Sequence, residues 1–445
     1  MTQADPAPSH PGRSHDREIL ALAVPAFGAL VAEPLFVLVD SAVVGHLGTS
    51  QLAGLGVAAA LLSTAVSVFV FLAYATTAAV ARRVGAGDLP AAIRQGMDGI
   101  WLALFLGLAV VAVTLPTAPW VVDAFGASGT AAPHATTYLR ISSFGIPAML
   151  IVLAATGVLR GLQDTRTPLY VAIAGFSANA ALNVALVYGA GLGIAGSAWG
   201  TVIAQCGMAL AYLVVVVRGA RRHGASLRPD IAGIRASAQA GVPLLIRTLS
   251  LRAVLMIATA IAARLGDVPV AAHQIILSLW SLMAFALDAI AIAGQAIIGR
   301  YLGAGDTDGA RAVCRRMVQW GVASGVVLGV LVVAARPLFI PLFTGDQAVR
   351  DTLLPALLVV ALSQPIAGVV FVLDGVLMGA GDGPYLAGAM VVTLAVFAPV
   401  ALLVPVLGGG LTALWWAMTL MMTTRMVTLW LRMRSGRWLV TGATR

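Results

Sequence analysis

The chain contains no lysine, only two cysteines and few charges: Asp, Glu, Lys and Arg together make 10% of 445 residues. So thin a charge complement lies outside the range of soluble domains. Cys206 and Cys314 lack Cys-x-x-Cys spacing and the six histidines form no His-x-x-x-His pair, which removes a disulfide framework and a zinc site from consideration. No Asp-rich diphosphate motif and no nucleophile with its base is present, so an enzyme, an intramembrane one included, is not expected, nor is a cofactor. The first seventeen residues hold no short apolar core ending in a small-residue cleavage site, and the first helix is expected to remain.

What is present is apolar surface. Hydrophobic residues make 60% of the chain, and twelve stretches reach the roughly 20 apolar residues that a membrane-spanning helix needs. The first runs from Ile19 to Val44 and the last from Leu411 to Leu431. The fold expected is all-α and integral to the membrane, with the lipid bilayer as its surroundings. All 27 basic residues are arginine, and 20 of them fall on the side that holds both termini, against 4 on the other side and 3 within spans. By the positive-inside rule both termini are cytoplasmic, in a multi-pass protein of the cell membrane. The basic stretch "RGARRHGASLRP" (218–229) is then a cytoplasmic loop, and nucleic acid is not an expected partner.

Shifted by 218 residues, the chain matches itself. Pro25 falls on Pro243, Arg82 on Arg300, "GAGD" at 85 on "GAGD" at 303, and Gly161 and Asp164 on Gly379 and Asp382. Six spans per copy bring both copies into the membrane from the same side, so the twelve helices form two parallel six-helix repeats. The organisation expected is an N-terminal tail over 1–17, an N-lobe over 18–218, a basic linker over 219–238, a C-lobe over 239–434 and a C-terminal tail over 435–445. Two such bundles leave a cleft between them, and rocking exposes it to each side in turn. The glycines of "RRVGAGD" and "RYLGAGD" end helices, because the Lys-Ser/Thr partner of a phosphate cradle is absent.

The stretches "PLFVLVDSAVVGHLG", "LDAIAIAGQAIIGRYLGAGD" and "FVLDGVLMGAGD" resemble the DinF branch of the multidrug and toxic compound extrusion family, MATE, over about Ile19 to Arg434. The resemblance implies a monomeric twelve-helix antiporter that exports small, drug-like, often cationic organic compounds in exchange for protons or sodium ions. It also implies an ion pocket in the N-lobe at the positions matching Asp40, Asn179, Asn183 and Thr201. Asn183 departs from the family pattern, standing where the relatives carry a second Asp. A solitary buried carboxylate favours protons as the coupling ion, and sodium is the runner-up, since losing one carboxylate leaves less charge to offset its dehydration.

Asp40 lies roughly 30 Å along its helix at 1.5 Å per residue, toward the outer leaflet. Asn179 and Asn183 are four apart and share a helix face. Asp288 and Asp374 stand inside spans 8 and 10, where a charge costs about 2.5 to 3.5 kcal/mol on an insertion scale. Arg247 and Arg252 are their expected partners, in a structural ion pair or in a second coupling or substrate site. Glu33, seven residues before Asp40, faces the cleft or only polarises the helix beside Pro34, and Pro25 marks a bend in span 1 or a simple kink. The rival within transport is a lipid-linked oligosaccharide flippase of related two-lobe design.

Overall fold

Backbone amides in hydrocarbon have no water to bond, so a chain this apolar closes its hydrogen bonds within helices. The computed structural model describes residues 11–126 and 129–444, apart from the side chains at 11–14, 33, 35–41 and 49, and holds no strand among them. The N-lobe comprises α1 (Pro11–Gly45), α2 (Thr49–Phe69) continued by α3 (Phe71–Gly85), α4 (Leu89–Ala124), α5 (Ala131–Ser143) continued by α6 (Ile146–Gly161), α7 (Arg166–Val184) and α8 (Gly193–Arg222). The C-lobe comprises α9 (Ile231–Arg264), α10 (Asp267–Gly303), α11 (Thr307–Phe343), α12 (Gln347–Gly379), α13 (Gly383–Val406) and α14 (Leu411–Arg434). Nine described segments are long and apolar enough to cross a membrane, ten when the bent α5–α6 pair counts as one, and α1 and α14 complete the twelve.

Three irregularities depart from twelve uniform rods. Span 2 breaks at Val70 between α2 and α3. Span 4 bends by 51° between α5 and α6, where Gly145 is followed by Pro147, a residue without an amide hydrogen to continue the ladder. A π-helical turn, Ala185–Gly189, ends span 5. The helix of the second lobe also starts earlier than expected. Asp230 accepts from Ala232 N and caps α9 at Ile231, so only residues 223–230 separate the lobes' helices.

The two Gly-Ala-Gly-Asp segments form matched corners. Each helix ends on its first glycine, and Gly87 (φ 79°) and Gly305 (φ 80°) then turn the chain through the left-handed region. Asp88 next accepts from Ala91 N at 3.0 Å and Asp306 from Gly309 N at 2.7 Å, starting α4 and α11. The corners also meet each other. A β-carbon on Gly85 would overlap the carbonyl of Arg300, and one on Gly303 the carbonyl of Arg82, so α3 and α10 cross backbone to backbone about the repeat axis.

On the same side, each lobe's entry helix begins beneath the other lobe. From α1, Asp16 accepts from Arg316 (2.6 and 2.7 Å) and from the Trp320 indole (2.8 Å), while Glu18 pairs with Arg300. At the start of the second lobe, Asp230 pairs with Arg94 at 2.7 Å, Ser237 accepts from Gln95 and the Leu227 carbonyl accepts from Trp101. The tail after α14 spans the junction: Arg82 donates to Val440 O and Gly442 N donates to Leu302 O. Away from the termini the lobes have less in common. There Val44, Leu55, Val122, Tyr138 and Ile194 form a separate core made of N-lobe residues alone, whereas the large core joins both lobes.

Candidate functional site

The predicted N-lobe pocket is built on α7 and α8 against α1. Asn179 and Asn183, one turn apart on α7, are 6% and 0% exposed. The Asn179 carbonyl oxygen has no hydrogen-bond partner among the described residues, an uncommon state for a buried amide. Gly200 makes room for Asn183: a β-carbon there would overlap its amide oxygen. Thr201, half-buried on α8, donates to Ser197 O at 3.1 Å and keeps its oxygen lone pairs. The π-helical turn begins two residues after Asn183, and within it Tyr188 donates its hydroxyl to Val43 O of α1 at 2.6 Å. Such turns recur where a helix must present side chains out of register. Asp40 and Glu33 belong to α1, and their side chains lie outside the described residues. Pro25 is half-buried within α1, and His46 follows the helix end, in hydrogen-bond contact with Ala42 O.

The C-lobe charges separate into a closed group and an open one. Asp374 on α12, 5% exposed, accepts from Arg247 Nε at 3.1 Å, from Arg247 Nη2 and from Arg425 Nη2 at 3.2 Å. Two guanidinium groups thus neutralise one carboxylate in the dry interior, the arrangement in which a buried charge is tolerated. The expected pairing with Arg252 is corrected. Five residues from Arg247, Arg252 is rotated about 140° around α9 at 3.6 residues per turn and points away, exposed. Asp288 on α10 is half-buried, with no hydrogen bond or ion pair among the described residues. Arg160 of the N-lobe and Arg247 both lie within its electrostatic reach. The lobes touch beside it: Arg247 lies over the Tyr74 ring at 5.9 Å, Gln295 donates to Tyr74 O at 2.5 Å and Gln163 donates to Ala296 O at 2.9 Å.

Arg425 and Arg160 are charged residues to which the sequence alone assigns no role. A signal for both exists in the repeat. The position related to Arg425 is Gly207 and that related to Arg160 is Met378, so each is an arginine that its twin lacks.

Comparison with known proteins supports this architecture. The family described as MatE matches residues 25–185 and 243–407, two segments in the same register as the repeat. The chain is 33% identical over 439 residues to Protein DETOXIFICATION 44, chloroplastic, of Arabidopsis thaliana, covering 95% of this chain and 83% of that one. It is 30% identical over 439 residues to DNA damage-inducible protein F of Escherichia coli K12, covering 96% and 94%. Among solved structures, an outward-facing multidrug resistance MATE family transporter of the MOP superfamily superposes with TM-score 0.86 at 20% identity, over 97% of this chain and 99% of that one. Twelve membrane-spanning helices in two parallel repeats, buried asparagines one turn apart on α7 and two matched family segments lead to one assignment: the chain belongs to the multidrug and toxic compound extrusion family, whose members are efflux transporters.

Proposed function

We propose that the chain is a proton-coupled antiporter that exports cationic or amphipathic organic compounds by alternating access. The observation that carries this reading is the buried, unpartnered amide oxygen of Asn179 beside wholly buried Asn183, on a helix that packs against α1, the helix to which Asp40 belongs. A pocket lined by amide and hydroxyl oxygens with one carboxylate takes up a proton at that carboxylate, since desolvation favours its neutral form. Asp40 loads from outside and releases inward as the N-lobe changes shape, and binding of ion and cargo is mutually exclusive. The joined lobes on the termini side correspond to an outward-facing conformation, with both termini in the cytoplasm and the protein, a monomer, in the cell membrane. Asp374 is occupied by two arginines, which leaves Asp288 as the C-lobe carboxylate that meets a cationic cargo.

The test is export of a fluorescent organic cation from vesicles under separately imposed pH and sodium gradients, for the wild type, Asp40→Asn and Asp40→Glu. The expected result is pH-driven export that Asn abolishes and Glu partly retains, in protein that still purifies as a single species. Well-folded Asp40→Asn pumping at the wild-type rate with the same pH dependence removes Asp40 from the coupling role. Export driven by sodium alone assigns the same pocket to sodium.

A further inference from the structure

A cavity of about 590 Å³, well within the roughly 300 to 1,000 Å³ typical of small-molecule sites, lies on the termini side between α3, α4, the first turns of α9 and the α12–α13 corner. It exists because the repeat is imperfect. At the related place in the other half of the molecule, the space is filled by Glu18 and Leu22 of α1 and by Met317 and Trp320 of α11. The positions related to these four are Ala236, Ala240, Gly99 and Leu102, and all four line the cavity.

The missing atoms describe what would fit. Glu18 presents a carboxylate to Arg300, the twin of Arg82, and Ala236 in its place presents none. Leu22, Met317 and Trp320 supply apolar bulk that Ala240, Gly99 and Leu102 do not. The cavity wall follows the same division. Phe71, Leu72, Leu102 and Leu244 form its apolar wall, and half-buried Arg83, Gln95 and Ser237, with buried Arg82, form its polar wall beside Thr444 of the tail. Arg83 is half-buried and makes no hydrogen bond or ion pair among the described residues. Asp382, the acidic residue of the wall, is held by Arg432 at 2.7 Å, and Asp98, behind the α4 wall, faces the first turn of α9 at Gly233.

We propose that this cavity is a binding site for an anionic single-chain amphiphile, its head on Arg83 and its chain along Phe71, Leu102 and Leu244. The occupant replaces the acidic head and apolar body that Glu18, Leu22, Met317 and Trp320 provide on the filled side. The site is separate from the N-lobe ion pocket, and the proposal stands whether or not Asp40 couples transport.

The test is calorimetric titration of the full chain in neutral phosphatidylcholine nanodiscs, with empty nanodiscs subtracted. Decanoate represents a soluble source of this chemistry and decanoyl lysophosphatidylglycerol a lipid source, and saturable binding of either supports the site and says which source it takes. Decanol and decyltrimethylammonium should bind at least about tenfold more weakly than the anion, the scale of a charge-assisted hydrogen bond. The Ala236→Glu/Ala240→Leu double variant, which restores the filled twin's side chains, should abolish binding, and Arg83→Gln should weaken it several-fold. Absence of saturable binding by both anions, equal binding of the neutral or cationic chain, or unchanged affinity in both variants overturns the proposal.

Discussion

Asp374 accepts from two arginines while Asp288 accepts from none, and that difference sets what each substitution does. Replacing Arg247 by Leu leaves a buried carboxylate with one partner and should cost about 3–5 kcal/mol, the scale of breaking a buried pair. Arg252→Leu, at an exposed and unpaired position, should cost little. Thermal denaturation of the purified variants separates the two, and equal losses would contradict the assignment of Arg247 as the clamp. If the proposed N-lobe pocket holds the coupling ion, Asn183→Asp adds a second carboxylate to that of Asp40, so the response to a sodium gradient should rise. An unchanged response in a variant that still transports would place Asn183 outside the ion site. The charged residues are legible one by one in the sequence, because charge inside an apolar run stands out. Their pairing is not. Arg247 and Arg252 look equivalent along the chain, and only the turn of α9 and the approach of α14 decide that Arg425 joins the clamp.

Twelve spans are legible because each is a long apolar run, but the elements inside them are not uniform. Leu52 to Val80 reads as one stretch, yet the helix breaks at Val70, a residue with no turn preference, so the break comes from packing rather than from local chemistry. The 51° bend at Gly145–Pro147 does carry a local signal in its Gly-x-Pro order. The first turns of α1 look like a polar tail along the chain and are instead a brace reaching the C-lobe, something that only the position of Arg316 and Trp320 reveals. Hydrogen bonds from Arg316 and then Trp320 hold the Asp16 carboxyl at about 2, below its ordinary 3.8. A lowered value means that the brace has its full strength above pH 3.8 and loses it as pH falls toward 2. Between about pH 6 and 8 the brace should therefore not respond to proton concentration, and Arg316→Gln should release it at any pH. A cysteine replacing Ile19, 1% exposed, reports this: its labelling, taken relative to unfolded protein, should stay slow across that range and rise in the Arg316→Gln background.

At the scale of the whole molecule, the repeat is the most informative feature of the sequence, since one offset carries Pro25, Arg82 and Gly85 onto Pro243, Arg300 and Gly303. It foretells two alike lobes, but not that their corners cross. Valine at Gly85 or Gly303 puts a side chain into the opposing carbonyl and should drive α3 and α10 apart. Such variants should lose export and should admit a water-soluble thiol reagent to a cysteine replacing Ala81, 0% exposed and packed against Gly299 of α10. Normal export with that cysteine still protected would show that the crossing is not needed for closure. Sidedness is tested by single cysteines at Ser14 and Ser435 in a background without Cys206 and Cys314. An impermeant reagent should reach both only after the membrane is opened.

The exchange of entry helices has a mechanical consequence. Each lobe is anchored to its neighbour by its own first helix, and the two anchors flank the crossing of α3 and α10, as two straps flank a buckle. Releasing one anchor therefore leaves the lobes still joined through the other. Cutting the chain within residues 223–230 should leave two halves that still grip each other through the exchanged arms.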